Sequence, residues 1–465
     1  MKPVIQERLL SLAQKKLKRF HYPGHKGRDL HFDPQALGQL DMTETFYTDD
    51  LQDPQDIIKR SQAQAARLYG SLDCFYGVGG STMANYAALG GATQPGDTIL
   101  VQRNAHKSVY QGAILAQLKV RTLSPRFNEA FSLLLDLDLE DLEEALRTQP
   151  KPRVLVLTSP SYQGVFLPLR EIVDLAHREG VLVLVDEAHG AHLAFSSQRA
   201  YSALEAGADL VVQSAHKSLP ALTGTSLLHR NTEAIDRDRL ERFFRLFTTT
   251  SPSYLMLTSL EGALVAMAQE GEEKLSRLEA QLGPLKEGLR AGGAQVLEAK
   301  DLGTACPQLD FTKLSFRVPG YGGEDLLRAL YDQGLNLEMA EGSLVTAVLS
   351  TQTSLEDLQA LVAGVQALAP GKGSWPTSLY RPLDPDPVLD LREAFYREKT
   401  RLPLKEALGQ VAGDFVLAYP PGVPLLLPGE RIKKDHLELL EGAPAIRGLD
   451  DKGRIGVIDG DICSF

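Results

Sequence analysis

Short apolar runs recur along the middle of this chain, each closed by a polar residue: Thr98 to Gln102, Arg153 to Ser159, Leu182 to Asp186 and Leu210 to Ser214. They are Leu, Val and Ile with little polar alternation, which suits strands buried on both faces of a parallel sheet; a half-exposed strand would alternate. Between them lie stretches of helical period such as Leu169 to Arg178. Strand and helix in alternation predict right-handed crossovers and a largely parallel sheet. Thr225 to His229 is a candidate further strand. Pro54 to Tyr69, with Ile57, Ile58, Ala65 and Leu68 amid polar residues, reads as a helix that delivers the chain to a glycine-rich turn, Gly77-Val78-Gly79-Gly80.

A helical stretch from Leu255 to Ala291 follows, after which Thr312 to Val318, Glu324 to Gln333, Leu335 to Met339, Leu344 to Leu349 and Leu355 to Leu368 describe a smaller α/β domain. Pro370 to Pro387 is rich in Pro, Gly, Ser and Asp and reads as a linker or surface loop, beyond which structure resumes at Val388 to Tyr396. The expected organisation is an N-terminal segment over 1–50, a large domain over 51–300, the small domain over 301–369, the linker over 370–387 and a C-terminal subdomain over 388–465. No internal repeat or low-complexity tract is visible.

Composition adds little that is specific. With 43% hydrophobic and 23% charged residues in 465, the chain has ordinary globular usage and room for more than one domain. A net charge of −11 argues against a nucleic-acid surface and mildly favours a cationic ligand. Cys74, Cys306 and Cys463 are odd in number and without metal-ligand spacing, so they read as structural thiols in a reducing cytoplasm. The first nineteen residues have helical spacing without a continuous apolar core, so neither a signal peptide nor a membrane span is expected.

Candidate chemistry sits where the runs end, because ligands of open α/β sheets bind outside the carboxyl ends of the strands. Asp186 closes one such strand, and Lys217 lies just beyond its expected neighbour, in Ser214-Ala215-His216-Lys217-Ser218. A pocketed lysine can form a Schiff base with an aldehyde cofactor, and an aspartate beside a pyridine nitrogen keeps that nitrogen protonated so that the ring withdraws electrons. The pair is what pyridoxal phosphate chemistry requires. Gly77 to Gly80, followed by Ser81, Thr82 and a helix expected from Thr82 or Met83, reads as a phosphate cradle: glycines let backbone N–H groups approach an anion, and the helix aims its positive end at it. No Gly-Lys-Ser/Thr follows, so it is not a nucleotide loop of the Walker type. His106, just after the Thr98 to Gln102 strand, falls at the same edge.

These segments together resemble the fold type I Orn/Lys/Arg decarboxylases. The likeness is carried by Gly79-Gly80-Ser81-Thr82-Met83-Ala84-Asn85, Asp186-Glu187-Ala188-His189-Gly190-Ala191-His192 and Ser214-Ala215-His216-Lys217. It extends to His21-Tyr22-Pro23-Gly24-His25-Lys26-Gly27, Asp41-Met42-Thr43-Glu44 through Asp49-Asp50-Leu51, Thr249-Thr250-Ser251-Pro252-Ser253-Tyr254, and Tyr419-Pro420-Pro421-Gly422-Val423-Pro424 through Pro428-Gly429-Glu430. The resemblance implies an aspartate aminotransferase-like large domain with a smaller α/β domain closing over pyridoxal 5′-phosphate. Lys217, Asp186 and His106 would be catalytic, with His106 stacked on the ring, Ala188 on its other face and His189 at the ring hydroxyl. Gly80, Ser81, Thr82, Ser214 and His216 would hold the phosphate, with one of Thr248 to Thr250, Thr249 foremost, reaching it as well. Only about twenty residues precede the His21 block, so the N-terminal wing of longer members is not expected; a homodimer or tetramer is.

The reaction implied is decarboxylation of a basic L-amino acid, arginine slightly ahead of lysine or ornithine, to the amine and CO2. Carboxylates for its side chain would come from among Glu44, Asp49, Asp50, Glu338 and Asp414. Phe46-Tyr47-Thr48 and Gly413-Asp414-Phe415 depart from the usual family pattern. Two alternatives stay open. A fold type I aminotransferase or lyase would clamp the substrate carboxylate with an arginine such as Arg317 or Arg328, and a retired homologue would act as a protein-binding partner.

Overall fold

The computed structural model describes residues 3–31, 33–45, 47–306, 308–368, 383, 385–418, 422–441 and 446–459. Most of the linker, Cys463, Phe46 and the Tyr419-Pro420-Pro421 part of the C-terminal motif lie outside them.

The chain opens with helix α1 (Val4–Gln14) and strand β1 (Lys18–Phe20). Lys18 and Arg19 therefore end the helical pattern early, because β1 pairs in parallel with Leu335–Leu337 and buries Phe20 completely. Helix α2 (Ile57–Tyr69) leads to β2 (Asp73–Gly77), α3 (Gly80–Ala92), β3 (Thr98–Gln102), α4 (Lys107–Leu115), β4 (Lys119–Leu123), β5 (Val154–Thr158), β6 (Leu182–Asp186), β7 (Leu210–Gln213) and β8 (Ser226–Arg230). Seven of these strands form one sheet in the order β2-β8-β7-β6-β5-β3-β4. It is parallel from β4 through β7; β8 alone runs against both its neighbours.

The apolar runs are continuous because both sheet faces are covered. Ile99, Val101, Val156, Leu184 and Val212 point into a core shared with α3 and α4. Leu100, Leu155, Leu157, Val183, Val185 and Val211 point the other way, against Leu142, Leu146, Leu169, Ile172 and Val173 of the helices Leu139–Arg147 and Leu169–Arg178. Each fully buried aliphatic side chain contributes about 1.5–3 kcal/mol by its removal from water. Helix α3 is Ala- and Gly-rich because it packs closely on Arg237–Phe247: a Cβ on Gly90 would come within 2.3 Å of Phe243.

The helical stretch beyond resolves into Tyr254–Ala266, a π-helical turn Met267–Gly271 and Glu272–Ala291. A four-stranded antiparallel sheet follows, β9 (Gln295–Val296), β10 (Lys313–Arg317), β12 (Met339–Glu341) and β13 (Leu344–Val348), while β11 (Leu335–Leu337) pairs instead with β1. Leu335 to Met339 is thus two short strands broken at Glu338. The C-terminal part docks on the large sheet: Leu391 and Leu427 enter the same core as α3 and α4. Arg103, directly after β3, ties it down through bonds to the carbonyls of Pro424 and Leu425 and a largely buried ion pair with Glu430 at 3.1 Å. Among the described residues, no helix is long and apolar enough to cross a membrane.

Candidate active site

A cavity of about 360 Å³ opens at the carboxyl edge of the large sheet. That is within the range of roughly 300–1,000 Å³ usual for small-molecule sites. Asp186 reaches it from the end of β6, His106 from the N-cap of α4, and Lys217 from a one-turn helix, Ala215–Ser218, after β7. Gly80, Ser81, Thr82, Ala188, His189, Ser214 and His216 line it as well. Residues spread over the sequence converge because consecutive parallel strands present the same end to one edge.

The groups are tightly held. Asp186 accepts hydrogen bonds from the Asn85 side chain at 3.0 Å and the Ala188 N–H at 3.1 Å. Burial raises the pKa of its carboxyl, opposed by Lys217, Asn85 and the Ala188 N–H. Burial lowers the pKa of Lys217 against the pull of Asp186 and Glu338, so more of the amine is unprotonated near neutral pH than in water. Its Nζ lies 3.2 Å from His189 Nε2, and His189 Nδ1 lies 2.6 Å from the Tyr22 hydroxyl. His106 is depressed to about 3 by burial, then by Lys217 and Lys107, and is a neutral ring.

At one end of the cavity stands an anion cradle. Helix α3 begins at Gly80, two or three residues before the sequence suggested. Its first-turn N–H groups have no intrahelical acceptor. Gly80 has φ +73°, with nothing within 4 Å of where a Cβ would stand, and its N–H is anchored on the Gly224 carbonyl at 2.7 Å. The hydroxyls of Ser81 and Ser214 are 2.8 Å apart. His216 donates from Nδ1 to the Thr225 carbonyl at 2.9 Å, and burial holds its pKa at about 4. Thr158 Oγ1 and Asn104 Oδ1, on residues that line the same cavity, are buried polar atoms without a protein partner. A donor-rich cradle, a carboxylate and a lysine around one cavity fit pyridoxal phosphate: Gly80 to Thr82, Ser214 and His216 suit its phosphate, Asp186 its ring nitrogen and Lys217 its aldehyde.

Not every expected residue arrives. Thr249 is exposed, outside the cavity lining, and its hydroxyl caps the Ser251 N–H at 3.2 Å; within one chain it does not reach the cradle. Of the five candidate acids, Glu338 lines the cavity and the other four do not. Asp49 accepts four backbone N–H bonds, from Asp50, Gln55, Asp56 and Ile58, which makes it a loop and helix cap. Asp50 holds the Gln52 N–H, Glu44 the Thr43 hydroxyl, and Asp414 pairs with Lys399 and Arg401 in the C-terminal subdomain. Among the described residues lining the cavity there is no arginine: Arg317 stacks 4.5 Å from the Phe131 ring and bonds Gln295 and the Ala130 carbonyl, and Arg328 does not line it either.

The structure also adds residues. Tyr22, Tyr162, Gln163, Glu341 and Val423 line the cavity. Glu338 accepts the Tyr22 N–H at 2.8 Å and the Tyr162 hydroxyl, and Glu341 accepts the Gln163 side chain. Tyr22 belongs to a block the sequence singled out without a role; Glu341 gave no sequence signal apart from standing three residues after Glu338.

A fold type I α/β architecture with a strand-end acid and lysine at one cavity defines a pyridoxal phosphate enzyme. Residues 3–288 match the family described as Orn/Lys/Arg decarboxylase, major domain, and 378–446 match its C-terminal domain. The chain is 34% identical over 456 residues to the Bacillus subtilis (strain 168) protein YaaO, covering 95% of this chain and 94% of that one. It is 32% identical over 464 residues to an arginine decarboxylase of the same organism, covering 94% of each. Lysine decarboxylase A from Pseudomonas aeruginosa has the same fold, with a TM-score of 0.77 at 18% identity over 99% of this chain and 83% of that one. The chain belongs to the Orn/Lys/Arg decarboxylase family, and is a pyridoxal phosphate-dependent amino-acid decarboxylase acting on basic amino acids.

Proposed function

We propose that the protein converts L-arginine, ahead of lysine and ornithine, to its amine and CO2. The observation that carries this is that two carboxylates, Glu338 and Glu341, line the same cavity as Lys217 and Asp186. A guanidinium offers a planar fork of donors, and each charge-assisted bond to a carboxylate contributes about 1.5–3 kcal/mol, more than a lysine ammonium gains from a paired acceptor. Relatives named arginine decarboxylase, at 30% to 32% identity, support the same preference.

When bound, pyridoxal phosphate supplies the electron sink that lets the bond between Cα and the carboxylate break. Asp186, held by Asn85 and the Ala188 N–H, would keep a proton on the ring nitrogen. Ser81, Thr82, Ser214, His216 and the first turn of α3 would bind the phosphate, with donors gathered at one point. His106 and Ala188, which both line the cavity, would flank the ring. Lys217 would hold the cofactor's aldehyde, and Lys217 or His189, 3.2 Å from it, would return the proton to Cα after CO2 leaves. Tyr22 and Tyr162 crowd water from the cavity and orient Glu338. The working unit is a homodimer in the cytoplasm. In it the exposed Thr249 segment lies at the subunit contact and reaches the neighbour's cradle.

The test is incubation of purified protein with each common L-amino acid, followed by CO2 release and product mass. Arginine should give the highest kcat/KM; a higher value for any other amino acid overturns the preference. The loaded protein should also be yellow, and borohydride should remove the band and leave its adduct on Lys217. An adduct on any other lysine sinks that assignment.

A further inference from the structure

Four polar side chains link β6 to α4 through α3 in an unbroken hydrogen-bonded chain. Asn85 and Ser108 are fully buried and line no part of the cavity. The Asn85 Nδ2 donates to Asp186 Oδ2 at 3.0 Å and to Ser108 Oγ at 2.9 Å. The carboxylate fixes that amide orientation, since turning it over would set two acceptors against each other with no hydrogen between them. Ser108 Oγ accepts from Asn85, so its own hydrogen is directed to His106 Nδ1, 2.8 Å away. The same nitrogen receives the Ser108 N–H at 3.2 Å. Two donors converging on Nδ1 leave no hydrogen there, and the proton of the neutral ring stands on Nε2.

We propose that Asn85 and Ser108 are positioning residues that couple the two groups on either side of them, holding Asp186 as an anion and His106 as an uncharged ring with its hydrogen on Nε2. The inference rests on the pyridoxal phosphate reading: a charged Asp186 serves the ring nitrogen, and an uncharged His106 can lie against a protonated ring without repulsion. Asparagine is suited to the position because one nitrogen carries two hydrogens to acceptors on two different elements. An aspartate there would face Asp186 at hydrogen-bond distance, where two carboxyls cannot both ionise. A leucine would leave a buried carboxylate oxygen without its donor.

The experiment uses protein labelled with nitrogen-15 in its histidine rings, free of cofactor, with His106 assigned by its loss in His106→Gln. Wild type should show the Nε2–H tautomer alone at His106, and Ser108→Ala, which leaves the bond between Asn85 and Asp186 in place, should show a mixture. In cofactor-loaded protein, Asn85→Leu should move the pH midpoint of the bound chromophore by about one unit, a ten-fold change in its protonation equilibrium, and weaken cofactor binding by a similar factor. Ser108→Ala should leave that midpoint nearly unmoved, which a general loss of packing would not. An Nδ1–H tautomer in wild type, or an unchanged tautomer in Ser108→Ala, overturns the proposal. So does an unchanged midpoint in folded Asn85→Leu; if that variant does not fold, the Ser108→Ala tautomer decides. Failure of wild type to take up pyridoxal phosphate would refute the cofactor reading instead, and the cofactor-free tautomers would still report on the hydrogen-bonded chain.

Discussion

One set of cavity residues, Asp186, His106, Lys217 and the Gly80 to Thr82 turn, comes from one sheet, whereas a second set, Tyr22, Tyr162, Glu338, Glu341 and Val423, comes from four separate parts of the chain. In the first set each side chain is fixed by a strand terminus and by short bonds to its neighbours, so its geometry follows from the sheet. In the second, geometry depends on how the N-terminal, small-domain and C-terminal segments settle against the large sheet. The second set can therefore change without disturbing the sheet that carries the first.

The joint between them is the most sensitive point. Arg103→Leu leaves Glu430 buried without its partner, which should cost about 3–5 kcal/mol in urea-induced unfolding, with the C-terminal part loosening first; an unchanged midpoint would mean the two sets are independent. Asp186→Ala should lower turnover by about 100- to 1,000-fold through loss of a preorganised charge, with the circular dichroism spectrum unchanged. Near-normal turnover would move the electronic role elsewhere. Glu338→Gln should lower kcat/KM for arginine by roughly 10- to 150-fold, the equivalent of one charge-assisted hydrogen bond, while cofactor affinity stays within two-fold; weaker cofactor binding would show that the two sets are not separable.

A pH-dependent effect concerns Lys26, which is buried and whose ammonium bonds the His21 carbonyl at 2.6 Å. Burial brings its pKa down from 10.5 to about 7. The unfolded chain then binds more protons than the native one between those values, so this group adds stability as pH rises through that window, and its full burial cost is felt below it. Lys26→Met should flatten that slope in unfolding free energy measured at pH values across the window. Parallel profiles for variant and wild type would rule it out.

The same contrast decides what was legible in the sequence. β3 and β6 fall at the predicted residues, and β5, β7 and β8 within a residue, because strands buried on both faces write themselves as unbroken apolar runs. Asp186 and Lys217 are readable from their place at the ends of such runs. β2 and β4 are not. Asp73-Cys74-Phe75-Tyr76-Gly77 begins with an acid and ends in glycine, and Lys119 to Leu123 is a sheet-edge strand whose residues are exposed or half-buried. Acids such as Asp49 and Glu338 look alike in sequence, since what separates them is tertiary: Asp49 turns its oxygens to four backbone N–H groups of its own loop and helix, whereas Glu338 lines the cavity. Asn85 stood inside a quoted motif, but its importance lies in two partners from distant segments, which no local pattern encodes.

The reversal of β8 bears on how the protein is made. Because that strand runs backwards, its first residues sit beside the Gly80 turn, and the carbonyls of Gly224 and Thr225 anchor Gly80 and His216. During synthesis from the N-terminus, β2 emerges long before its partner β8 and waits with its hydrogen-bonding edge open. Contacts so distant along the chain close slowly, so the Gly80 turn is among the last parts to acquire its final shape. The nascent enzyme would gain affinity for its cofactor late, once the sheet has been sealed at that edge.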